Sequence, residues 1–170
     1  MTLAELDHGE DTAVVTALER CCGARAWVRG MLARRPFGDR AAVHAAADAA
    51  FAPLARADLL EAFSHHPRIG DVAGLRERFA STAQWASGEQ SGASAADQLT
   101  LQRLAEGNAD YEVRHGHLFI VCATGLTAGE MLARLEARLM NEPDLELRNA
   151  AAEQLKITHL RLDKLLEVSP

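Results

Sequence analysis

Apolar residues recur at intervals of three and four along most of the chain, which is the spacing of one face of an α-helix. Trp27, Met31 and Leu32 form one such stripe, and Pro36 and Gly38 mark its end. Ala and Leu are abundant and β-branched runs are few, which also favours helices. We therefore expect helices from the start of the chain to its end.

Local start signals place several of these helices. A Thr followed three residues later by Glu forms a capping box, and this pattern occurs at Thr2 and again at Thr127. Asp11, Asp39 and Asp58 each precede a patterned stretch and are predicted to begin further helices. After the first two helices, which start at Thr2 and Asp11, the predicted helices cover residues 24–35, 40–51, 59–63, 74–83, 94–116 and 131–140, with a long last helix from residue 144. We predict an all-α fold, a single-domain bundle of roughly eight helices spanning residues 1–170.

Two apolar patterns occur in the second half of the chain. The run Leu118–Cys122 has strand-like composition, but one isolated run does not make a stable sheet, so we expect an extended, buried connector. The apolar positions predicted for the last helix are Leu145, Leu155, Ile157, Leu160 and Leu165.

The composition excludes several partners. Hydrophobic residues make up 48% and the formal net charge is −6, so a nucleic acid, which needs a concentrated basic face, is not an expected partner. No apolar run approaches the roughly 20 residues that span a bilayer, so no membrane partner is expected. The first residues are acidic and show no secretory signal, and the last residues lack the peroxisomal tripeptide. We therefore expect a cytoplasmic location.

Cysteine usage and missing motifs exclude further classes. Cys21, Cys22 and Cys122 form neither a disulfide framework nor a zinc ribbon, and we interpret them as small buried hydrophobic residues. The sequence lacks the GxGxxG and P-loop patterns of nucleotide binding and the GxSxG pattern of serine hydrolases. Chemistry in this chain has to come from other residues.

The segment 64–70 interrupts the helical pattern with residues suited to chemistry. Pro67 disfavours a helical backbone at His66, so this histidine falls at a helix end, where it can project into a cleft. An imidazole titrates at about pH 6.5, which suits proton transfer. The alternative is that His66 only caps the helix, where the helix dipole favours its charge.

Two other places offer polar groups to a ligand. Glu89 and Gln90 lie in a stretch rich in loop residues, where a carboxylate and an amide can face a ligand or His66; a plain surface position is the alternative. Arg161 lies between two leucines on the last helix, which predicts partial burial. A partly buried guanidinium pairs with an anion, either a protein carboxylate or a substrate carboxylate.

Two other functions are compatible with these patterns. His65, His66, His115 and His117 supply enough nitrogen atoms for a metal-dependent hydrolase, although neither HExxH nor a paired CxxC is present. A non-catalytic helical module that binds a protein partner is the second alternative. Helix faces that dimerise resemble faces that pack internally, so a homodimer is left open.

Several short motifs follow one another in a fixed order. They are His66-Pro67-Arg68-Ile69-Gly70, Glu89-Gln90, Asn108-x-x-Tyr111, Phe119–Gly125, Met131–Asn141, Glu146–Arg148 and Lys156–Leu162. As an ordered set, from about residue 10 to residue 166, they resemble the OHCU decarboxylases in their bacterial form. These enzymes act on 2-oxo-4-hydroxy-4-carboxy-5-ureidoimidazoline, a product of urate oxidation.

The resemblance implies an all-helical enzyme that converts this ureidoimidazoline to (S)-allantoin with neither a metal nor an organic cofactor. It places catalytic roles on His66, Glu89 and Arg161, with Arg161 binding the substrate carboxylate. It places substrate contacts on Pro67, Ala86, Ser87, Gly88, Glu89, Gln90, Phe119, Ile120, Val121, Cys122, Ala123 and Arg161. The chain departs from the family pattern at His115, where an aromatic residue is expected, and in having His65 beside His66.

Overall fold

The computed structural model describes residues 1–68 and 95–167, and within these ranges it contains eight α-helices and no β-strand. The helices are α1 Leu3–His8, α2 Asp11–Cys21, α3 Arg25–Leu32, α4 Arg40–Phe51, α5 Arg56–Ser64, α6 Ala95–His115, α7 Ala128–Leu139 and α8 Pro143–Glu167. The predicted all-α fold is confirmed. No described helix is both long and apolar enough to cross a membrane. The helix predicted over 74–83 and the Ser94 start signal lie outside the described residues.

Both predicted capping boxes are present. The Thr2 hydroxyl accepts from the Glu5 N–H at 3.2 Å, and the Glu5 carboxylate accepts from the Thr2 N–H at 2.7 Å. Thr127 and Glu130 make the same reciprocal pair at the start of α7. Each box satisfies backbone donors that the first turn of a helix leaves without an intrahelical partner.

The three aspartates that are predicted to begin helices occupy different positions relative to those helices. Asp39 caps α4 as predicted, since its carboxylate accepts from the Ala42 N–H at 2.7 Å. Asp11 is instead the first residue of α2 and not its cap. Asp58 lies inside α5, where it accepts from the Ala55 N–H at 2.9 Å, so this helix begins at Arg56 and not at the predicted Leu59. An Asp in the first turn reaches back to the cap as readily as it occupies the cap itself.

The chain divides into two compact units, residues 1–66 with 151–170 and residues 67–150. In the first unit, Trp27 of the predicted apolar stripe packs in the core: its ring is fully buried, and its indole N–H donates to the Ala47 carbonyl at 3.2 Å. In the second unit, the core consists of Leu101, Leu104, Tyr111, Phe119, Val121, Met131, Leu132 and Leu135. A single domain spanning residues 1–170 stays a prediction.

The segment Leu118–Cys122 is neither helix nor strand, and its central residues Phe119, Ile120 and Val121 are buried. This confirms the predicted buried connector. The Ile120 carbonyl accepts from Arg138 Nη1 at 2.9 Å, which supplies a hydrogen bond that a neighbouring strand would otherwise give.

A buried carboxylate organises the second unit. Glu146 is fully buried and accepts hydrogen bonds from the Tyr111 hydroxyl, from Arg138 Nε at 2.8 Å and from Asn141 Nδ2 at 2.7 Å. Burial by itself raises the pKa of Glu146, but the hydrogen bonds from Arg138, Tyr111 and Asn141 and the Arg138 charge outweigh it and hold the pKa below its ordinary value. Glu146 is therefore ionised at neutral pH.

The apolar residues that recur along the last helix do not mark its buried face. Leu145 and Leu160 are exposed, and the buried residues of α8 recur instead at every fourth position: Glu146, Ala150, Gln154, Thr158, Leu162 and Leu166. Three of these six are polar, so a search for apolar residues selects the wrong positions. Each buried polar side chain has hydrogen-bond partners, which is the condition for burying it.

A close contact in the first unit requires glycine. A Cβ atom added at the buried Gly23 would lie 2.2 Å from the Cγ atom of the His65 ring, far inside van der Waals contact. Gly23 follows α2, and His65 follows the last residue of α5. The absence of a side chain at Gly23 therefore lets the ends of these two helices approach.

Replacing Glu146 with Ala should lower the free energy of unfolding by about 3–5 kcal/mol, because Arg138 loses its buried carboxylate and the Tyr111 hydroxyl loses its acceptor. Urea unfolding measures the change. Glu142→Ala, an exposed Glu next to α8, is the matched control and should change stability by less than about 0.5 kcal/mol.

The acid side of the stability profile provides a second measurement on the same variant. Because the folded-state pKa of Glu146 is lowered, its contribution is present above the unfolded-state pKa and is lost as the pH falls through the folded-state value. The acid-induced loss of stability should therefore be smaller in Glu146→Ala than in the unmodified protein. An equal loss in both would mean that Glu146 is not the carboxylate responsible.

Replacing Gly23 with Ala should destabilise the protein by about 1–3 kcal/mol, because the new methyl group overlaps the His65 ring and one of them has to move. Thermal unfolding measures the effect. Gly129→Ala is the control: no atom lies within 4 Å of its added Cβ, so the same change inside α7 should be neutral or slightly stabilising. Equal effects at both positions would contradict the contact with His65.

Candidate active site

His66 lies just beyond the end of α5, as predicted, and its half-buried ring is held by the last helix. The backbone N–H of His66 donates to the Phe63 carbonyl at 3.1 Å, which closes the final turn. Its ring Nε2 lies 2.7 Å from Oε1 of Gln154. The histidine is thus fixed at both its backbone and its side chain.

Gln154 is itself held by the next turn of α8. Its Nε2 lies 3.3 Å from the Thr158 hydroxyl, and that hydroxyl donates to the Gln154 carbonyl at 2.9 Å. Both side chains are fully buried. A continuous set of hydrogen bonds therefore runs from Thr158 through Gln154 to the His66 ring.

Arg161 is half-buried, as predicted, and lies one turn beyond Thr158 on α8. Its Nη1 donates to the carbonyls of Arg20 and Cys21 at 3.3 Å each. These carbonyls belong to the last turn of α2, where a helix leaves acceptors without intrahelical donors and a cation is favoured. Among residues 1–68 and 95–167, no carboxylate forms an ion pair with Arg161.

Arg161 lines a cavity of about 670 Å³ in the first unit. The lining includes three cationic side chains and one carboxylate: Arg20, Arg161, Lys164 and Glu19. His65 and Cys21 also face it. Burial raises the pKa of the Cys21 thiol to about 12, although the Arg161 charge opposes the shift, so at neutral pH this thiol is uncharged. The cavity offers excess positive charge and no thiolate nucleophile from Cys21.

In the second unit, the structure brings two predicted substrate contacts together. Pro67 and Phe119 line a cavity of about 180 Å³, together with Arg68, Asn108, Ala109, Glu112 and Leu118. Arg68 forms an ion pair with Glu112 at this cavity. The pairing of Pro67 with Phe119 follows from the fold and not from their distance along the sequence.

The predicted contact segment Phe119–Ala123 is supported by Arg138. The Arg138 guanidinium lies 4.7 Å from the centre of the Phe119 ring, in addition to its hydrogen bond with the Ile120 carbonyl. Val121 is buried, whereas Cys122 and Ala123 are half-buried, so the expectation of a buried cysteine holds only partly for Cys122. The ion pair with Glu146 in turn holds the Arg138 guanidinium in place.

The remaining predicted site residues, Ala86, Ser87, Gly88, Glu89 and Gln90, lie outside the described residues. Their assigned roles stay predictions.

The histidines that were considered as metal ligands have other contacts in the described part of the chain. His115 Nε2 donates to the Leu139 carbonyl at 3.0 Å, and His117 Nδ1 donates to the Leu118 carbonyl at 2.9 Å. The His115 ring packs against Tyr111 with centroids 4.5 Å apart, which shows how a histidine fits where an aromatic residue was expected. Within residues 1–68 and 95–167, no three His, Cys, Asp or Glu side chains are grouped as metal ligands.

Sequence reasoning missed Gln154 and the supporting pair of Arg138 and Glu146. The available signal was that Glu146, Gln154 and Thr158 lie eight and four residues apart on a long helix, a spacing that puts polar residues on one face. That signal says which residues share a face and does not say that the face is buried. Only the packing around the helix decides that.

Comparison with known proteins gives a consistent set of relatives. The family model for OHCU decarboxylase matches residues 8–163. The uric acid degradation bifunctional protein TTL of Arabidopsis thaliana is 40% identical over 163 residues, covering 94% of this chain and 48% of the relative. The putative 2-oxo-4-hydroxy-4-carboxy-5-ureidoimidazoline decarboxylase of Homo sapiens is 33% identical over 172 residues, covering 97% of this chain and 94% of that protein. The chain spans about half the length of the Arabidopsis relative.

Solved structures agree with these relatives. A crystal structure of OHCU decarboxylase in the presence of (S)-allantoin matches with a TM-score of 0.70 and 38% identity, over 94% of this chain and 99% of that one. A crystal structure of (S)-allantoin synthase matches with a TM-score of 0.65 over 98% of this chain and 54% of that one, but at 17% identity it supports the fold alone. From the family match across residues 8–163, the chain belongs to the OHCU decarboxylase family.

Proposed function

We propose that this chain decarboxylates 2-oxo-4-hydroxy-4-carboxy-5-ureidoimidazoline to (S)-allantoin in urate breakdown, acting as a carboxy-lyase without a cofactor. Family membership supports the reaction. The observation that carries the proposal is the state of Arg161: within the described part of the chain, its guanidinium contacts helix carbonyls and no carboxylate. It therefore remains available to a substrate carboxylate, which was one of its two predicted partners.

The first role in the mechanism is to hold the group that leaves. Arg161 binds the substrate carboxylate and orients the bond to the ring so that it stands out of the ring plane. When this carbon–carbon bond breaks, carbon dioxide departs and the electron pair remains on the ring carbon. The contacts with the Arg20 and Cys21 carbonyls restrict how the guanidinium turns, which favours one orientation of the carboxylate.

The second role is to stabilise the charge that develops. The electron pair delocalises into the neighbouring carbon–nitrogen double bond of the ring, and the 4-hydroxyl oxygen becomes the oxygen of an enol or enolate. Backbone N–H groups of Phe119–Ala123 are the proposed donors to that oxygen. One donor of this kind is worth about 3 kcal/mol in a transition state. The hydrogen bond of the Ile120 carbonyl with Arg138 holds the backbone of this segment in place, so its donors do not have to reorganise during the reaction.

The third role is proton transfer. His66, paired with Glu89, exchanges a proton with the substrate and protonates the carbanion on one face, which gives a single enantiomer. Gln90 holds the ureido group through amide hydrogen bonds. The substrate contacts of Pro67 and of residues 86–88 complete the proposed pocket. We further propose a cytoplasmic location and no nucleic-acid or membrane partner, with a homodimer left open.

The enantiomer formed is the first test. With the unstable substrate generated in situ from urate by the upstream enzymes, the protein should form (S)-allantoin rapidly, as followed by circular dichroism. His66→Ala should lower the rate by about 100-fold to 10,000-fold, because it removes the proton-transferring group. His8→Ala, the same change at an exposed histidine of α1, is the control and should leave the rate unchanged.

A slow racemic signal equal to that without protein would reject the decarboxylase and favour the non-catalytic binding module. Loss of activity in His65→Ala with full activity in His66→Ala would mean that His65 carries the chemistry and that its assignment to His66 is wrong. These two outcomes are separate, since the second requires an active protein.

Arg161→Ala should weaken the binding of a substrate analogue that carries the carboxylate by about 10-fold to 100-fold, because it removes a charge-assisted hydrogen bond. Binding of (S)-allantoin should change much less, since allantoin has already lost that carboxylate. Calorimetric titration with both ligands measures the difference, and Arg29→Ala, at an exposed arginine of α3, is the control. Equal weakening of both ligands would mean that Arg161 shapes the pocket and does not bind the carboxylate.

A further inference from the structure

We propose that His44 and His159 form a binding site for a divalent transition-metal ion of the Ni²⁺ and Cu²⁺ class, with Asp48 and Asp163 orienting the two rings. His44 and Asp48 lie on α4, and their partners lie on α8, all within the first unit. The site uses none of the residues assigned to decarboxylation. The proposal therefore goes beyond that function and does not depend on it.

The four side chains form one continuous set of contacts. The Nδ1 atoms of His44 and His159 are 3.0 Å apart. Nε2 of His44 lies 2.8 Å from Oδ1 of Asp163. Nε2 of His159 lies 2.8 Å from Oδ1 of Asp48. Each ring therefore uses both of its nitrogens, and turning either ring over would put carbon atoms in their places.

The two carboxylates decide where the ring protons lie. An ionised carboxylate only accepts hydrogen bonds, so each Nε2 atom has to carry a proton. In a neutral ring the other nitrogen, Nδ1, then has a lone pair and no proton. The two Nδ1 lone pairs meet at 3.0 Å, where they repel each other unless a cation lies between them. A histidine that binds a metal ion has the same form, with one nitrogen on the ion and the other donating to a carboxylate.

The distance between the two Nδ1 atoms indicates which ions fit. Nitrogen ligands lie about 2.0–2.1 Å from such an ion, so two of them are about 2.9 Å apart at a right angle and about 3.3 Å apart at the tetrahedral angle. The observed 3.0 Å is closer to the right angle. Right-angled sets of nitrogen and oxygen ligands are typical of Cu²⁺ and Ni²⁺, whereas Zn²⁺ favours tetrahedral sets.

Charge and exposure favour a divalent ion over a single extra proton. Two neutral rings and two carboxylates are a doubly negative group, which a divalent ion neutralises and a proton neutralises only by half. In the described ranges, neither Asp48 nor Asp163 forms an ion pair with an Arg or Lys side chain. The side chains of His44 and His159 are 25% and 29% exposed, so water can fill the ligand positions that the two rings leave open.

Basic residues about one turn away along the two helices have other contacts. Arg40 Nη2 donates to the Leu166 carbonyl at 3.0 Å. Lys156 forms an ion pair with Glu153. Neither of these cations takes the place of a metal ion at the two carboxylates.

Binding of Ni²⁺ to the protein without an affinity tag is the first test, by calorimetric titration. Ni²⁺ is the probe because, unlike Cu²⁺, it does not oxidise thiols. We expect a saturable site that binds Ni²⁺ more tightly than Zn²⁺, since the ligand geometry is closer to a right angle. The absence of saturable binding at millimolar Ni²⁺ would overturn the proposal, and tighter binding of Zn²⁺ would overturn the assignment to this class of ion.

Variants of the two ligands locate the site. His44→Ala and His159→Ala should each weaken Ni²⁺ binding by at least about 100-fold, because loss of a mere outer hydrogen bond already costs about 10-fold to 100-fold. His8→Ala, at the exposed histidine of α1, is the matched control and should bind as the unmodified protein does. Unchanged affinity in both ligand variants would overturn the proposal.

Variants of the carboxylates keep both rings and so test the site even if a histidine variant does not fold. Asp48→Asn and Asp163→Asn should each weaken Ni²⁺ binding about 10-fold, because the amide is a weaker acceptor for Nε2–H and has no charge. Asp110→Asn, at an exposed Asp of α6, is the control and should have no effect. Unchanged affinity in both of the first two variants would overturn the role of the carboxylates.

NMR locates the ion in the unmodified protein. Ni²⁺ is paramagnetic and broadens the signals of nearby protons, so the ring signals of His44 and His159 should broaden together at the lowest Ni²⁺ concentration while that of His8 persists. The two signals are assigned by their absence in His44→Ala and His159→Ala. Broadening that begins at any other histidine would overturn the proposal.

Thermal unfolding tests whether the ion joins the two helices. Since α4 and α8 present both rings together only in the folded protein, Ni²⁺ should raise the midpoint of unfolding of the unmodified protein. In His44→Ala the midpoint should not rise. An equal rise in both proteins would mean that Ni²⁺ stabilises the fold from another site, which would overturn the proposal.

Discussion

The last helix buries three polar side chains, and the described structure depends on how each of them is satisfied. Glu146 accepts hydrogen bonds from Arg138, Tyr111 and Asn141. Gln154 is hydrogen-bonded to the His66 ring, and the Thr158 hydroxyl donates to the Gln154 carbonyl one turn earlier. A buried polar atom without a partner costs more than an ordinary hydrogen bond contributes, so these contacts fix the helix in one rotation about its axis. Rotating the helix by one residue would break the contacts of Glu146 with Arg138 and Tyr111 and the contact of Gln154 with His66, whereas the Thr158 bond lies within the helix.

The same contacts connect stability with the chemistry that we propose. In the second unit, Glu146 holds Arg138, and Arg138 holds the backbone of the segment around Ile120. In the first unit, Gln154 holds His66. The groups assigned to charge stabilisation and to proton transfer are therefore supported by buried residues that do not themselves react, which keeps such groups in place before the substrate arrives.

The sequence predicts a feature well when the interactions behind it join residues that are close together along the chain. The boxes at Thr2 and Thr127 and the cap at Asp39 were predicted correctly, because each involves residues three positions apart. The start of α5 was misplaced because Asp58 caps equally well from inside the helix. The buried face of α8 does not follow from its apolar residues, since the burial of Glu146 and Gln154 depends on partners far away in the chain. His66 and Arg161 were candidates from local pattern, and the family resemblance supplied their expected roles. Neither Gln154 nor the Arg138 support follows from local pattern.

The cation-lined cavity around Arg161 has a consequence for the speed of capture. The whole chain has a net charge of −6, yet this cavity groups Arg20, Arg161 and Lys164 against a single Glu19. A local positive field in an acidic protein attracts anions over about 10 Å at 0.1 M salt, before any contact is made. If the proposed function holds, electrostatic steering draws the unstable, anionic substrate toward Arg161, and ionic strength sets how much of it arrives before it decays.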